Sequence, residues 1–427
     1  MKIIQHPRKD DWPEILARPK LEQRGLEKSV RKIIEAVKKR GDRAVKKYTQ
    51  EFDGVKLRKL EVTAKEIRDA EKEVASQLKE AIIQAAKNIT KFHEAQRQDI
   101  MVVETMPGVE CWRKSIAINS VGLYIPGGTA PLFSTILMLG IPASLAGCEE
   151  IILCSPPDAQ GKLHPAILFA AKLVGVKRIF KAGGVQAIAA MAYGTDSIPK
   201  VDKIFGPGNQ YVTAAKQLVQ QDGIAIDMPA GPSEVCVLAD SEANPVFVAA
   251  DLLSQAEHGT DSQVLLISDD PKLISRTLEE IKLQVELLNR RNIATAALEN
   301  SKAILVNDLK EGMAIANAYA PEHLIIACAD YEKLATMVTT AGSVFLGNFT
   351  PESAGDYASG TNHTLPTNGH ANAYSGVSLD SFVKKVTFQK ISKEGLKDLG
   401  GTIITMANAE GLQAHAEAVR LRLGSFA

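Results

Sequence analysis

The chain has 427 residues, with 50 Lys+Arg against 50 Asp+Glu, so its formal net charge is +0 at pH 7. Hydrophobic residues at 45% and charged residues at 23% are ordinary soluble globular usage. They exclude a disordered chain, a collagen-like fibre and a polybasic nucleic-acid or membrane-surface binder. At roughly 150 residues per domain the length implies two or three structural units. Aromatics are only 5%, so the core must be built from Ile, Val, Leu and Ala. Five Cys with no CxxC pair fit a reducing compartment. The start, MKIIQHPRKDDWPEIL, carries acids and a Pro where a signal peptide needs its apolar run. No segment approaches the roughly 18 apolar residues of a membrane span. The expectation is a cytoplasmic enzyme with no nucleic-acid or membrane partner.

Residues 1–20 hold three Pro and no clean period, and read as an arm. From Leu26 to about Arg97 the pattern is helical: Val30, Ile33, Ile34 and Val37 recur at three- and four-residue spacing, as do Ile67, Ala70 and Val74. Thr63 with Glu66 is a capping-box signature. Two long helices, split near Glu51–Gly54, are predicted.

After Cys111 short apolar runs alternate with helical stretches. VGLYIPGG, IILCSPP, RIFKAGG, KVDKIFGPGN and IAIDMPAGPSE are separated by helices at 131–146, 165–173, 185–193 and 211–220. A second alternation, VCVLAD, QVLLIS, AILV, HLIIAC and SVFLG, carries helices at 245–258, 271–288, 309–318 and 331–339. Strand–helix alternation with Gly or Pro after most strands is the form of a parallel α/β sheet. The fold class is therefore α/β: two Rossmann-like parallel-sheet units of similar size, joined near residue 233, with helical N-terminal and C-terminal extensions. The segment 347–380 is rich in Gly, Ser, Asn, Thr and Pro without a period, and so long an irregular stretch points to function. From about Lys393 a helix pair has too little chain to bury both faces, which implies a partner surface.

The turn Gly206-Pro207-Gly208-Asn209-Gln210-Tyr211, with Asp227 about twenty residues on, resembles a dinucleotide fingerprint. Tyr211 occupies the third glycine position, so a tight strand–helix connection capped by Asn209 is the better reading. The loops after VGLYIPGG, KAGG and IFGPG still lie at carboxyl ends of parallel strands, where a nucleotide could bind. Of the eight histidines, His6, His93 and His164 read as solvated. HEAQR fails as a zinc-protease helix because Arg97 stands where the second His is required.

His258 follows Gln255 by three residues on one helical face, and Gly259 ends that helix. Glu322 and His323 lead directly into an apolar strand, an acid and an imidazole suited to proton transfer. Asp356 and His363 lie in the irregular segment, and Glu410 and His415 near one face of the C-terminal helix. Together, Gln255, His258, Asp356 and His415 offer one amide oxygen, one carboxylate and two imidazoles, a donor mix suited to Zn²⁺ with a position left open. Cys148 and Cys154 have no neighbouring base in sequence and read as buried small hydrophobes, which argues against a covalent thiol route.

VGLYIPGGTAPLFST, IFGPGNQYVTAAK, DMPAGPSEV, DLLSQAEHGTDSQ, NAYAPEHL and NFTPESAGDYASGTNHTLPT resemble the histidinol dehydrogenase family over essentially the whole chain. The resemblance implies oxidation of L-histidinol to L-histidine through L-histidinaldehyde, with two NAD⁺ and water, in histidine biosynthesis. It implies one Zn²⁺ per subunit held by Gln255, His258, Asp356 and His415, a catalytic pair Glu322 and His323, and substrate contacts from Ser233, His363 and Glu410. It assigns Tyr124, Gln186 and Asn209 to the NAD site. A homodimer is implied in which the C-terminal segment completes the partner's site. The implied domains are an arm 1–20, a catalytic and metal-side α/β domain of 21–121 with 234–380, a nucleotide-side α/β domain 122–233, and a dimer-crossing extension 381–427. The enzyme-class alternative is a zinc-dependent two-electron dehydrogenase of another amino alcohol.

Overall fold

The structure is a computed structural model that describes residues 1–19, 25–127, 131–229 and 231–424. The ends of the arm and of the chain, Gly128–Ala130 of VGLYIPGGTAPLFST and Ala230 of DMPAGPSEV lie outside the described residues. The chain divides into two compact units, Met1–Gln96 with Ile118–Phe382 and Arg97–Ala117 with Val383–Ala427.

The first unit contains two all-parallel sheets. One has the strand order Arg178–Lys181, Glu150–Ser155, Ser120–Tyr124, Lys203–Phe205, Ala225–Ile226. The other runs Lys2–Gln5, Lys302–Leu305, Gln263–Ser268, Glu234–Ala239, His323–Ala327, Ser343–Leu346. Their central strands, such as Glu234–Ala239 and Gln263–Ser268, are buried at every residue, as expected where helices cover both faces of a parallel sheet. The α/β expectation is met in both halves. Local chemistry places the helix starts: Asn244 and Asp270 accept hydrogen bonds from the first turns of Pro245–Ala256 and Pro271–Val285, each with Pro at its first position. The Thr63–Glu66 capping box is formed in both directions.

Several expectations are corrected. The region of two predicted helices holds four: Leu26–Arg40, Asp42–Phe52, Ala64–Glu73 and Ser76–Glu94. Gly41, at φ +48, breaks the first pair, and an extended Val74–Ala75 breaks the second, neither of which interrupts the apolar period. These helices pack against those flanking the five-stranded sheet, so that Val30, Ile33 and Val45 share a core with Ile188 and Val219, and Ile82 and Ile89 share one with Ile136 and Leu168. The arm is not irregular, because Lys2–Gln5 adds an edge strand beside Lys302–Leu305. A helix at Arg291–Glu299 was not foreseen. His93 is fully buried rather than solvated, its Nδ1 2.9 Å from the carbonyl of Ile89.

The second unit is a three-stranded antiparallel sheet, Val383–Ile391, Val109–Ala117, Val102–Met106, followed by the helices Lys393–Ala409 and Gln413–Gly424. Its sheet escaped the sequence reading because its strands are amphipathic and hold several charges. Trp112 stacks on Phe388 at 5.5 Å between ring centroids. Ile100, Met101, Val102, Val103 and Leu421 are exposed, and the two helices bury only Gly395, Gly400, Ala407, Ala416 and Val419.

A buried ion pair shapes the GPGN turn. Lys216 and Asp227 pair beneath it, Lys216 Nζ donates to the Gly206 carbonyl at 2.9 Å, and Asp227 accepts from Gly206 N at 2.8 Å. The glycine-fingerprint acid thus holds its own turn in place. Gly206 has φ +128, and a Cβ there would stand 2.0 Å from the Tyr124 carbonyl oxygen. Gly206→Ala is expected to destabilise the fold by at least about 1–3 kcal/mol, read as a lower denaturant midpoint. Asp53, at the end of Asp42–Phe52, has a carboxylate oxygen without a hydrogen bond, and burial pushes its pKa up to about 6. A folded-state value above the unfolded one means the native state binds the extra proton, so stability falls as pH rises from about 4 through about 6. Asp53→Asn is therefore expected to raise the thermal midpoint more at pH 8 than at pH 4.5.

Candidate active site

A cleft of about 1740 Å³ opens between the carboxyl ends of Ser120–Tyr124 and Lys203–Phe205 on one sheet and the amino ends of Glu234–Ala239 and His323–Ala327 on the other. It exceeds the roughly 300–1,000 Å³ of a site for one small ligand, so a substrate and a larger cofactor can share it. Ser233, Gln255, His258, Glu322, His323, Asp356 and His363 line it on the six-stranded side, and Tyr124 and Asn209 on the other. Residues more than a hundred positions apart thus meet in one cavity.

Parallel pairing builds the centre. His323 opens its strand opposite Val235, so Glu322 and His323 sit beside Glu234. Glu322 accepts a hydrogen bond from the Glu234 backbone N–H at 2.9 Å. Nδ1 of His323 lies 3.1 Å from the Glu234 carbonyl oxygen and 3.1 Å from the Gln255 amide nitrogen. A carbonyl can only accept, so Nδ1 carries the hydrogen and Nε2 is the basic nitrogen. That Nε2 has no hydrogen-bond partner and stands 3.5 Å from an Asp356 carboxylate oxygen.

The electrostatics follow from burial. Burial pushes Glu322 up to about 8, with His323 pulling against it. Burial would lower His323, but Glu352, Glu322 and Asp356 around it prevail and raise it to about 10. Burial would raise Asp356, yet the His323 imidazole 3.5 Å away, with those of His363 and His258, holds it below the usual carboxylate range. His258 and His363 are both lowered, chiefly by the protein around them, and so favour the neutral, ligating form. His363 is held by Thr135 Oγ1 at 3.0 Å and by the Asp356 carbonyl at 2.8 Å.

Glu352 was missed in the sequence. It is 1% exposed, pushed up to about 8 by burial, and accepts from the Gln255 amide NH₂. This contact turns the Gln255 Oε1 away, and that oxygen is buried with no partner. Ligating atoms of His323, Glu352 and Asp356 lie within 4.8 Å of one another. An orphaned amide oxygen, a neutral imidazole and an ionised carboxylate beside surplus buried acid fit a divalent cation. Nothing in local sequence pattern distinguishes Glu352; only its burial against Gln255 does.

The remaining assignments divide. Tyr124 is buried, its hydroxyl accepting from Gly184 N at 3.1 Å, and Asn209 caps the helix Gln210–Gln221 through Tyr211 N and Val212 N. Gln186 is 1% exposed with an unpartnered Oε1. Glu410 and His415 belong to the second unit and do not share a helix: Glu410 ends Lys393–Ala409, Gly411 turns at φ +74, and His415 lies in Gln413–Gly424. The first unit supplies three of the four expected metal ligands. Cys148 and Cys154 are buried with thiol pKa values raised by burial, Cys148 to about 11, so neither is a ready nucleophile.

The model of the family described as histidinol dehydrogenase matches residues 16–423. The chain belongs to the histidinol dehydrogenase family. It is 62% identical over 423 residues to histidinol dehydrogenase of Bacteroides fragilis, covering 99% of each chain. It is 54% identical over 398 residues to that of Xylella fastidiosa, covering 93% of this chain and 92% of the other. The crystal structure of histidinol dehydrogenase from Elizabethkingia anophelis superposes with TM-score 0.98 at 54% identity, covering 100% of this chain and 98% of that one. Family membership makes the chain an oxidoreductase of histidine biosynthesis. Among the described residues no helix is long and apolar enough to cross a membrane.

Proposed function

We propose that the chain oxidises L-histidinol to L-histidine through L-histidinaldehyde, using two NAD⁺ and one water. The observation that carries this reading is the buried Glu322–His323 pair, with an unpartnered Nε2, facing a cleft beside Gln255, His258 and Asp356. When bound, a Zn²⁺ ion supplies a positive anchor for the substrate's imidazole and amine, and the nicotinamide supplies a hydride acceptor. Gln255, His258 and Asp356 would hold that cation, and His415 of a second copy would be the fourth ligand.

The base role requires Glu322 ionised and His323 neutral, the state that a bound divalent charge would favour by opposing protonation of the cluster. His323 Nε2 then accepts the hydroxyl proton as hydride leaves the alcohol carbon. Glu322 draws a proton from water so that it adds to the aldehyde carbon, and protonated His323 returns its proton to the carbonyl oxygen to complete the diol. The neutral His323 then takes a diol proton as the second hydride leaves for the second NAD⁺. His363, Ser233 and the partner's Glu410 position the substrate, while Tyr124, Gln186 and Asn209 flank the nucleotide. For the domain division, 122–233 serves as the nucleotide side and 234–380 as the catalytic side. The expected place of 21–121 with 234–380 is corrected for its helices between 26 and 94, which share cores with the helices of 122–233. The arm 1–20 and a dimer-crossing extension 381–427 complete a cytoplasmic homodimer. The sparse burial of the C-terminal helices supports that last element.

His323→Asn is expected to lower both half-reactions by about 10²–10⁴-fold. Glu322→Gln is expected to slow aldehyde oxidation far more than alcohol oxidation. Stopped-flow NADH formation from histidinol and from histidinaldehyde separates the two, and equal losses for the Glu322 variant would remove its assigned role. Chelation is expected to abolish NADH production while size-exclusion chromatography still reports a dimer; dissociation would make the cation structural instead.

A further inference from the structure

The groups that hold Glu322 and His323 both belong to one residue, Glu234: its N–H bonds the Glu322 carboxylate and its carbonyl receives the His323 Nδ1–H. Glu234 has its own restraint. Its side chain is 3% exposed and is gripped in a two-pronged pair by Arg18, Nε to Oε1 at 2.5 Å and Nη2 to Oε2 at 2.8 Å. The backbone N–H of Asn368, on a loop lining the cleft, donates to the same carboxylate at 2.9 Å.

Arg18 also reaches the other side of the pair. Nη2 donates to the Tyr319 carbonyl at 2.7 Å and to the Ala320 carbonyl at 3.4 Å, and the guanidinium lies 4.0 Å over the Tyr319 ring. Tyr319 donates through its hydroxyl to Gln263 at 2.9 Å. Ala320 sits at φ +49, a left-handed position unusual for a residue with a Cβ, and is followed by Pro321, Glu322 and His323. A single cation from the N-terminal arm therefore ties together the strand that carries the restraining backbone and the strained turn that carries the proton-transfer pair. A planar fork can make these contacts simultaneously, which an ammonium cannot.

We infer that Arg18, acting through Glu234 and the Tyr319–Ala320 turn, is a positioning residue for the Glu322–His323 pair, so that the arm belongs to the catalytic machinery of the proposed reaction. The inference rests on that functional reading for its kinetic test. Arg18→Met retains the apolar stem and removes the fork. A pair misplaced by even part of an ångström loses rate rather than substrate binding.

The experiment measures kcat, KM for L-histidinol and bound zinc for wild type, Arg18→Met, Arg18→Lys, Arg18→Ala and, as a control in the same arm, Arg8→Met. Expected is a kcat loss of about 10–100-fold in the three Arg18 variants, with KM and zinc content near wild type, and no change for Arg8→Met. Guanidinium ion at tens of millimolar should partly restore Arg18→Ala and not Arg18→Lys. A wild-type kcat in folded Arg18→Met overturns the inference, as does a joint loss of kcat, KM and zinc that guanidinium does not relieve. Wild-type turnover of L-histidinol tests the functional reading separately. A crystal structure of Arg18→Met in which Glu322 and His323 stay within about 0.5 Å of their native positions overturns the inference without any activity.

Discussion

The pairing of His323–Ala327 against Glu234–Ala239 sets His323 opposite Val235, and every contact of the centre depends on that register. A slip of one residue would turn Glu322 and His323 to opposite faces and remove the Glu234 backbone from both. The neighbouring strand on the other side contributes a close approach: Gly342 packs so near that a Cβ would meet the Glu322 carbonyl oxygen at 2.5 Å, and Ser343 N bonds that same oxygen at 2.9 Å. The pair is therefore seated by main chain on both sides, which is stiffer than a seat made of side chains alone.

Around this seat the protein gathers more acid than a dry interior tolerates. Glu322, Glu352 and Asp356 surround one imidazole, and the desolvation cost appears as raised values for both glutamates. Such an arrangement is poor for stability and good for attracting a cation, the usual trade at a site of chemistry. The same device, used structurally, recurs across the cleft, where the buried Lys216–Asp227 pair pins the Gly206 turn. One buried pair holds the Gly206 turn, and the other, Arg18–Glu234, holds the strand whose backbone bonds Glu322 and His323.

Much of the architecture was legible because its signals are local. The helix Pro165–Leu173 begins and ends where the pattern places it, and the cap at Asn209 forms as expected. Reading failed where the deciding interaction is distant. His93 looked solvated on a charged segment, yet Asn362, far along the chain, lies 3.3 Å from its Nε2. The strand Val383–Ile391 carries three lysines and finds its place only by pairing with Val109–Ala117.

By itself the sequence determined the α/β class, the succession of most strands and helices, and the identity of Glu322, His323, Gln255, His258 and Asp356 as groups able to do chemistry. The class and the succession follow from periodicity and capping, which act over a few residues; the five side chains stand out by type and by resemblance to the histidinol dehydrogenase family. Only the tertiary structure decided that these groups share a cleft, that Glu352 orients the Gln255 amide, that Arg18 of the arm grips Glu234, and that Glu410 and His415 lie on separate helices of the second unit. The physical reason is that burial and hydrogen-bond geometry belong to pairs of segments brought together by folding, and no single segment records its partner.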